Sequence, residues 1–243
     1  MTDRLPDFLG IGTQKGGTTS LQQWLTRHPS VFMPENKELH YFDTESEKTL
    51  DWYKNQFKDA NANQICGEIT PFYMFHPCAP ERIKKTIPRA RLIVLLRDPV
   101  ERTISQFNHS TKRGFENLSI EKALEAEEER LEKGNIYSFQ KHSYFNRSLY
   151  LKQLDRYEKL FNRNQIIVLK SESMFEQGKH TIKKLRKFLQ IKEEMNIEVP
   201  VANKGTLTSQ KVSNKTRKLL EERLKETAIG IRKRYGFGWD WAD

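Results

Sequence analysis

The chain has 243 residues, 42 of them Lys or Arg and 32 Asp or Glu, for a net charge of +10. That length supports one full domain with its own core, and just two cysteines, Cys66 and Cys78, exclude a disulfide framework and lack metal-site spacing. No stretch approaches the roughly 20 apolar residues of a membrane helix, and the polar start (Thr2, Asp3, Arg4) has no apolar signal region. A soluble, cytoplasmic protein is therefore expected, or a chain parted from an anchor, and low cysteine usage fits a reducing compartment. The surface charge favours polyanions as a class without choosing a partner.

The first predicted strand is Phe8–Gly12, an apolar run that turns through Thr13-Gln14-Lys15-Gly16-Gly17-Thr18-Thr19-Ser20 into a helix over Thr18–Arg27. Unpaired N–H groups at a helix start, with the helix dipole behind them, can hold an oxyanion. Gly16 and Gly17 allow close approach, Lys15 adds a full charge, and Thr18 and Thr19 add hydroxyls. The order differs from a Walker A loop, where the lysine follows the last glycine; here Lys15 precedes Gly16-Gly17. A phosphate-type ligand is expected, and the triphosphate of a standard ATPase is not.

Further strands are predicted at Ile65–Ile69, Leu92–Leu96 and Ile166–Leu169. Helices are predicted at Pro80–Thr86, Val100–Lys112, Ile120–Lys133, Ser148–Phe161, Lys179–Leu189 and Ser213–Arg234. The alternation points to an α/β fold, a single domain over residues 1–243 with a central parallel sheet flanked by helices and a P-loop-like turn. Ligands in such sheets sit beyond the carboxyl ends of strands, where Lys15 and Arg97 fall. Arg97 and Ser105, either side of Pro99, could converge on a second anionic group, since a guanidinium fork suits phosphate. The acidic stretch Glu121–Lys133 is read as an exposed helix without chemistry. The basic runs Lys183–Lys187 and Arg232–Arg234 are read as solvated faces. Residues from Ile191 to Val212 read as a loop crossing the site, with Lys204 either reaching a cofactor or lying on an ordinary surface connection. The tail from Tyr235 to Trp241 is read as packing onto the core, with substrate stacking as the alternative.

At Lys15–Ser20 and at Arg97 with Ser105, the chain resembles sulfotransferases that use 3′-phosphoadenosine 5′-phosphosulfate (PAPS). The block Glu35-Asn36-Lys37-Glu38-Leu39-His40-Tyr41-Phe42-Asp43 resembles the segment after the first helix in heparan sulfate and related glycan sulfotransferases. Echoes follow at Glu68–Tyr73, Asn146–Tyr150 and Asn203-Lys204-Gly205. The resemblance implies that Lys15, Gly16, Gly17, Thr18, Thr19 and Ser20 hold the 5′-phosphosulfate, and that Arg97 and Ser105 hold the 3′-phosphate. It places Lys204 and Gly205 near the cofactor and makes Glu38 the catalytic base. His40 is read as orienting the acceptor or serving as base itself, and Lys37 as solvent-facing. Arg102 is read as a helix-surface residue or a cofactor contact; Arg147, Ser148 and Tyr150 either bond the 3′-phosphate or cap and pack their helix.

The implied reaction is in-line sulfuryl transfer to a hydroxyl or amine, with Glu38 taking the proton and Lys15 stabilising the leaving phosphate. Lysine and loop amides already supply positive charge, so no metal is required. The expected acceptor is a small molecule or glycan, with no nucleic acid. Two departures leave the acceptor side open: Ile69 stands where the glycan enzymes often carry lysine, and Gly205–Val212 has no cysteine for their disulfide-closed loop. A P-loop kinase, with Asp98 offered to Mg²⁺, and a noncatalytic basic module binding polyanions are the rival readings.

Overall fold

The computed structural model describes residues 4–193 and 212–242. Within them the chain forms two compact units: residues 4–96 with 154–193, and residues 97–153 with 212–242. The first unit carries a five-stranded sheet of β1 (Phe8–Gly12), β2 (Val31–Phe32), β3 (Ile65–Ile69), β4 (Arg91–Leu96) and β5 (Ile166–Lys170). The strand order is β2-β3-β1-β4-β5, and every pairing is parallel. All five residues of β1 are buried, as are all but the first of β3 and of β4, which is why these strands read as unbroken apolar runs rather than alternating ones.

Helices connect the strands as the sequence pattern predicts. In the first unit α1 (Thr18–Thr26), α2 (Leu50–Asn55) and α3 (Ala79–Thr86) precede β4. Then come α4 (Pro99–Lys112), α5 (Ile120–Glu132), α6 (Ile136–Lys141), α7 (Tyr150–Glu158), α8 (Ser171–Glu176), α9 (Gly178–Leu189) and α10 (Asn214–Tyr235). Leu21, Trp24 and Leu25 of α1 and Ile182, Leu185 and Leu189 of α9 recur at helical spacing and join Phe8, Ile69, Ile93, Leu95 and Leu169 in one buried cluster. β2, α2, α6 and α8 are the elements that periodicity alone does not reveal.

The second unit has its own core, in which Val100, Ile104 and Phe107 of α4 meet Ile120, Ala123 and Leu124 of α5 and Leu220 and Leu224 of α10. The acidic helix α5 is thus not simply exposed. Ile120, Ala123, Leu124 and Glu127 form its buried stripe, and the Glu127 carboxylate accepts the backbone N–H groups of Phe145 (2.7 Å) and Asn146 (2.8 Å). These bonds compensate the burial of a carboxylate at the start of the short turn Asn146–Ser148. The aromatic tail packs as expected: Trp239 is buried beside Tyr150, and the Trp241 indole N–H donates to Asp98 Oδ2 at 2.7 Å. Among the described residues, no helix is long and apolar enough to cross a membrane.

Candidate active site

The turn after β1 is tied down from several sides. Thr13 N–H donates to Leu95 O of β4 at 2.8 Å, and Ser171 Oγ donates to Gly16 O at the same distance. A Cβ on Gly16 would meet Leu95 O at 2.8 Å and Thr13 O at 2.9 Å, so this position has no room for a side chain. Gly17 caps α1 with φ +87°, a left-handed conformation suited to glycine, and no side chain caps the helix start. The first turn of α1 contains no acidic residue. Its donors are amides, hydroxyls and the adjacent Lys15, a set whose chemistry fits an oxyanion and no cation. Thr18 and Ser20 are buried and Thr19 is half-buried.

Beside this turn lies a charged constellation on the loop between β2 and α2. His40 Nδ1 donates to the Asp43 carboxylate at 2.8 Å and 3.0 Å, and His40 Nε2 faces Glu38 Oε2 at 3.6 Å. Lys37 Nζ pairs with Glu38 Oε1 at 3.5 Å and donates to Thr19 Oγ1 at 2.6 Å. Lys37 is therefore not the solvent-facing residue expected; a hydroxyl of the oxyanion turn and the candidate base hold it in place. Asp43, fully buried, is fixed in turn by its bond from Thr44 N–H at 2.5 Å.

A second layer supports the constellation. Thr70, just past β3, accepts His40 N–H at 3.5 Å and donates to Glu68 Oε2 at 2.7 Å. Tyr53 and Tyr73 hydroxyls donate to Glu68 Oε1 at 3.0 Å and 2.8 Å. Burial pushes the Glu68 carboxyl up, against the lowering effect of these three hydroxyls. Lys15, Glu38 and His40 all sit at positive φ, 69°, 62° and 56°. Each costs on the order of 1 kcal/mol or more for a residue other than glycine, a strain that collects where side chains must be aimed.

The electrostatics give the two central groups different states. Burial alone would raise the Glu38 pKa, but the close ion pair with His40 and the charge of Lys37 outweigh it and hold the carboxyl below its ordinary 4.5. Burial alone would lower His40, yet Asp43 and Glu38 carry it up to about 10. At neutral pH this places a carboxylate beside an imidazolium. An imidazolium has no lone pair with which to take a proton, so the geometry disfavours His40 as base and suits it to orienting Glu38.

Stabilisation from the His40 cation is fully present below 6.5 and lost as pH rises through about 10; that from Glu38 is present above 4.5 and lost as pH falls through its lowered value. Turnover is expected to be flat across neutral pH with no limb near 6.5. Asp43→Asn removes His40's chief partner and should draw an alkaline limb down from about 10 toward 6.5. A pH–kcat profile of both proteins checks this, and a native limb at 6.5 would remove the imidazolium from the picture.

In the second unit, Arg97 follows β4 directly and pairs with Glu101 at 3.8 Å, its side chain 33% exposed, and Ser105 is half-buried on α4. Asp98 is an N-cap: its Oδ1 accepts Val100 N–H at 2.8 Å and Glu101 N–H at 3.1 Å, and its Oδ2 takes the Trp241 indole. These bonds give it a structural role in place of the Mg²⁺ role that the kinase reading offers. Arg102 is neither a surface residue nor in reach of solvent. It is fully buried and bonds Ser148 Oγ at 2.6 Å and Tyr144 O. Arg147 donates to Ser143 Oγ, Phe139 O and Gln140 O, Ser148 Oγ to Pro99 O, and Tyr150 hydroxyl to Arg97 O, which supports the capping and packing role for all three. Lys204 and Gly205 lie outside the described residues.

The chain thus carries an oxyanion turn after β1 with an ionised glutamate beside it, and an arginine directly after β4. The model of the sulfotransferase domain matches residues 5–241. The chain belongs to the sulfotransferase domain family. Among its curated sulfotransferase relatives, the membrane-associated sulfotransferase kil1 of Dictyostelium discoideum is 40% identical over 109 residues, 44% of this chain and 23% of that protein. The human heparan sulfate glucosamine 3-O-sulfotransferase 5 is 27% identical over 202 residues, 79% of this chain and 55% of that protein. The chain thus spans about half or less of the length of these relatives. A sulfotransferase from Alicyclobacillus acidocaldarius shares the fold with a TM-score of 0.83 at 24% identity, over 99% of this chain and 100% of that one. A mouse sulfotransferase complexed with PAP gives 0.53 at 14% identity, over 98% and 77%.

The residues that sequence reasoning missed are Lys37 as a bridge, and Asp43, Glu68, Thr70, Tyr53 and Tyr73 as the support. Asp43 follows His40 by three residues in the same block, a spacing that could have marked it.

Proposed function

We propose that this chain transfers a sulfuryl group to a hydroxyl or amine of an acceptor, a glycan in the first instance, using PAPS as donor. The observation that carries the reading is Glu38, an ionised carboxylate clamped by His40 and joined through Lys37 to a hydroxyl of the oxyanion turn. When bound, PAPS supplies the activated sulfuryl group and a bisphosphate leaving group. The uncapped start of α1, with Lys15, Gly16, Gly17, Thr18, Thr19 and Ser20, is suited to the 5′ oxyanions and to negative charge building on the leaving side. Arg97 and Ser105 are the residues assigned to the 3′-phosphate by the family resemblance. Glu38 accepts the proton of the attacking group as its oxygen or nitrogen becomes a nucleophile, a contribution of about 10²–10⁴-fold for a placed base. His40, held by Asp43, keeps Glu38 aimed and ionised. A glycan acceptor is supported by the heparan sulfate relatives, and the net charge of +10 is compatible with an anionic one.

Calorimetric titration with 3′-phosphoadenosine 5′-phosphate (PAP), compared with ADP and ATP in the absence of metal, tests the donor class. PAP should bind and the two 3′-unphosphorylated nucleotides should bind far more weakly. Equal affinities, or dependence on Mg²⁺, would overturn the reading.

A further inference from the structure

We propose that Lys37 is a further catalytic residue, whose ammonium contacts the sulfuryl oxygens as the group passes from donor to acceptor. This rests on the sulfotransferase reading and names a residue that neither the resemblance nor the expected loop chemistry assigned. Sulfuryl transfer begins at the oxyanion turn and ends at the group that Glu38 deprotonates. Lys37 reaches both ends: it donates to Thr19 Oγ1 at 2.6 Å and ion-pairs with Glu38 Oε1 at 3.5 Å.

An ammonium carries three donors. Thr19 takes one, Glu38 lies at ion-pairing distance, and no further protein partner of Lys37 is found among the described residues. The side chain is 31% exposed, so it is not sealed off from a bound group. A sulfuryl oxygen can therefore accept a remaining N–H without either existing contact breaking. The charge is useful there because the group in transit spreads negative charge over three oxygens while its bonds to both neighbours are long. As the bond from sulfur to the leaving phosphate oxygen breaks and that to the acceptor forms, Lys37 keeps its proton, Glu38 gains the acceptor's, and the electron pair leaves with the phosphate. Lys15, before the glycine pair, is left to serve the leaving side. Two lysines would then divide the work, one on the leaving phosphate and one on the sulfuryl group.

PAP and PAPS differ by the sulfuryl group alone, so their comparison isolates the contact. Lys37→Met should bind PAP within about twofold of the native chain but bind PAPS about tenfold more weakly, the loss of one charge-assisted hydrogen bond. It should also slow the acceptor-independent hydrolysis of PAPS, followed as released labelled sulfate. Lys37→Arg, which keeps the charge, should preserve most of the PAPS-over-PAP preference. Equal effects on both ligands in Lys37→Met, or a preference lost as fully in Lys37→Arg, would overturn the proposal and leave Lys37 a support for the loop. Should Lys37→Met fail to fold, Lys37→Gln is read by the same ratio. A native chain that binds neither ligand would overturn the sulfotransferase reading instead, whereas native binding with an unchanged ratio in the variant removes only the role of Lys37.

Discussion

Glu38→Gln is expected to lower turnover by about 10²–10⁴-fold while leaving PAP affinity close to native. The substitution keeps the shape of the side chain and one carbonyl oxygen toward Lys37, but it removes the group able to receive a proton. His40 should stay in place, because its shorter contacts run to Asp43 at 2.8 Å and 3.0 Å rather than to Glu38 at 3.6 Å. Donor binding should survive because the turn is held by Thr13, Leu95 and Ser171, none of which touches Glu38. Transfer of labelled sulfuryl to heparan sulfate, the first acceptor to try, reads turnover, and calorimetry with PAP reads binding. Near-native turnover would sink the base assignment. Loss of PAP binding along with turnover would make Glu38 a support of the oxyanion turn, acting through Lys37 and Thr19.

The part of the fold legible in sequence is the part whose physics is local. β1 and β3 carry the bounds that their apolar runs predict, because a strand covered on both faces needs no alternation. β2 escapes because Val31–Phe32 is two residues long, and α6 because none of its residues is buried, so it leaves no apolar stripe. Strong composition misled at α5, where acidic residues dominate and the buried positions Ile120, Ala123, Leu124 and Glu127 are a minority.

The candidate site divides along the same line. The oxyanion turn is a contiguous segment whose residue order carries its chemistry. Lys37 reads as solvent-facing because its meaning lies in a hydroxyl 18 residues away, with no periodic relation to it. Glu68 lies at the end of a buried strand, and what makes a carboxylate tolerable there is three hydroxyls from Tyr53, Thr70 and Tyr73, which arrive from a helix and from the turn beyond β3. No pattern in the chain announces that convergence.

Lys15→Ala and Arg97→Ala should both weaken PAP binding, on the order of 10–100-fold each for the loss of a charge-assisted contact, but they should do so in distinguishable ways. Lys15 adjoins the start of α1, so its charge acts on whatever 5′ oxyanion the turn holds. Its removal should weaken PAP and AMP alike. Arg97 is assigned to the 3′-phosphate, which AMP lacks, so Arg97→Ala should weaken PAP while leaving AMP unchanged. The variant's preference for PAP over AMP would then largely vanish. Freed of Arg97, Glu101 still pairs with Arg217, so α4 should keep its ion pair and the variant its fold. Calorimetry with the two nucleotides reads all four combinations. A Lys15→Ala variant with native affinity for both would remove the oxyanion turn as the 5′ site. An Arg97→Ala variant that weakens AMP as much as PAP would show that Arg97 supports the fold and not the 3′-phosphate. The donor class would then rest on the turn after β1 alone, and that turn by itself does not separate a bisphosphorylated nucleotide from any other phosphate ester.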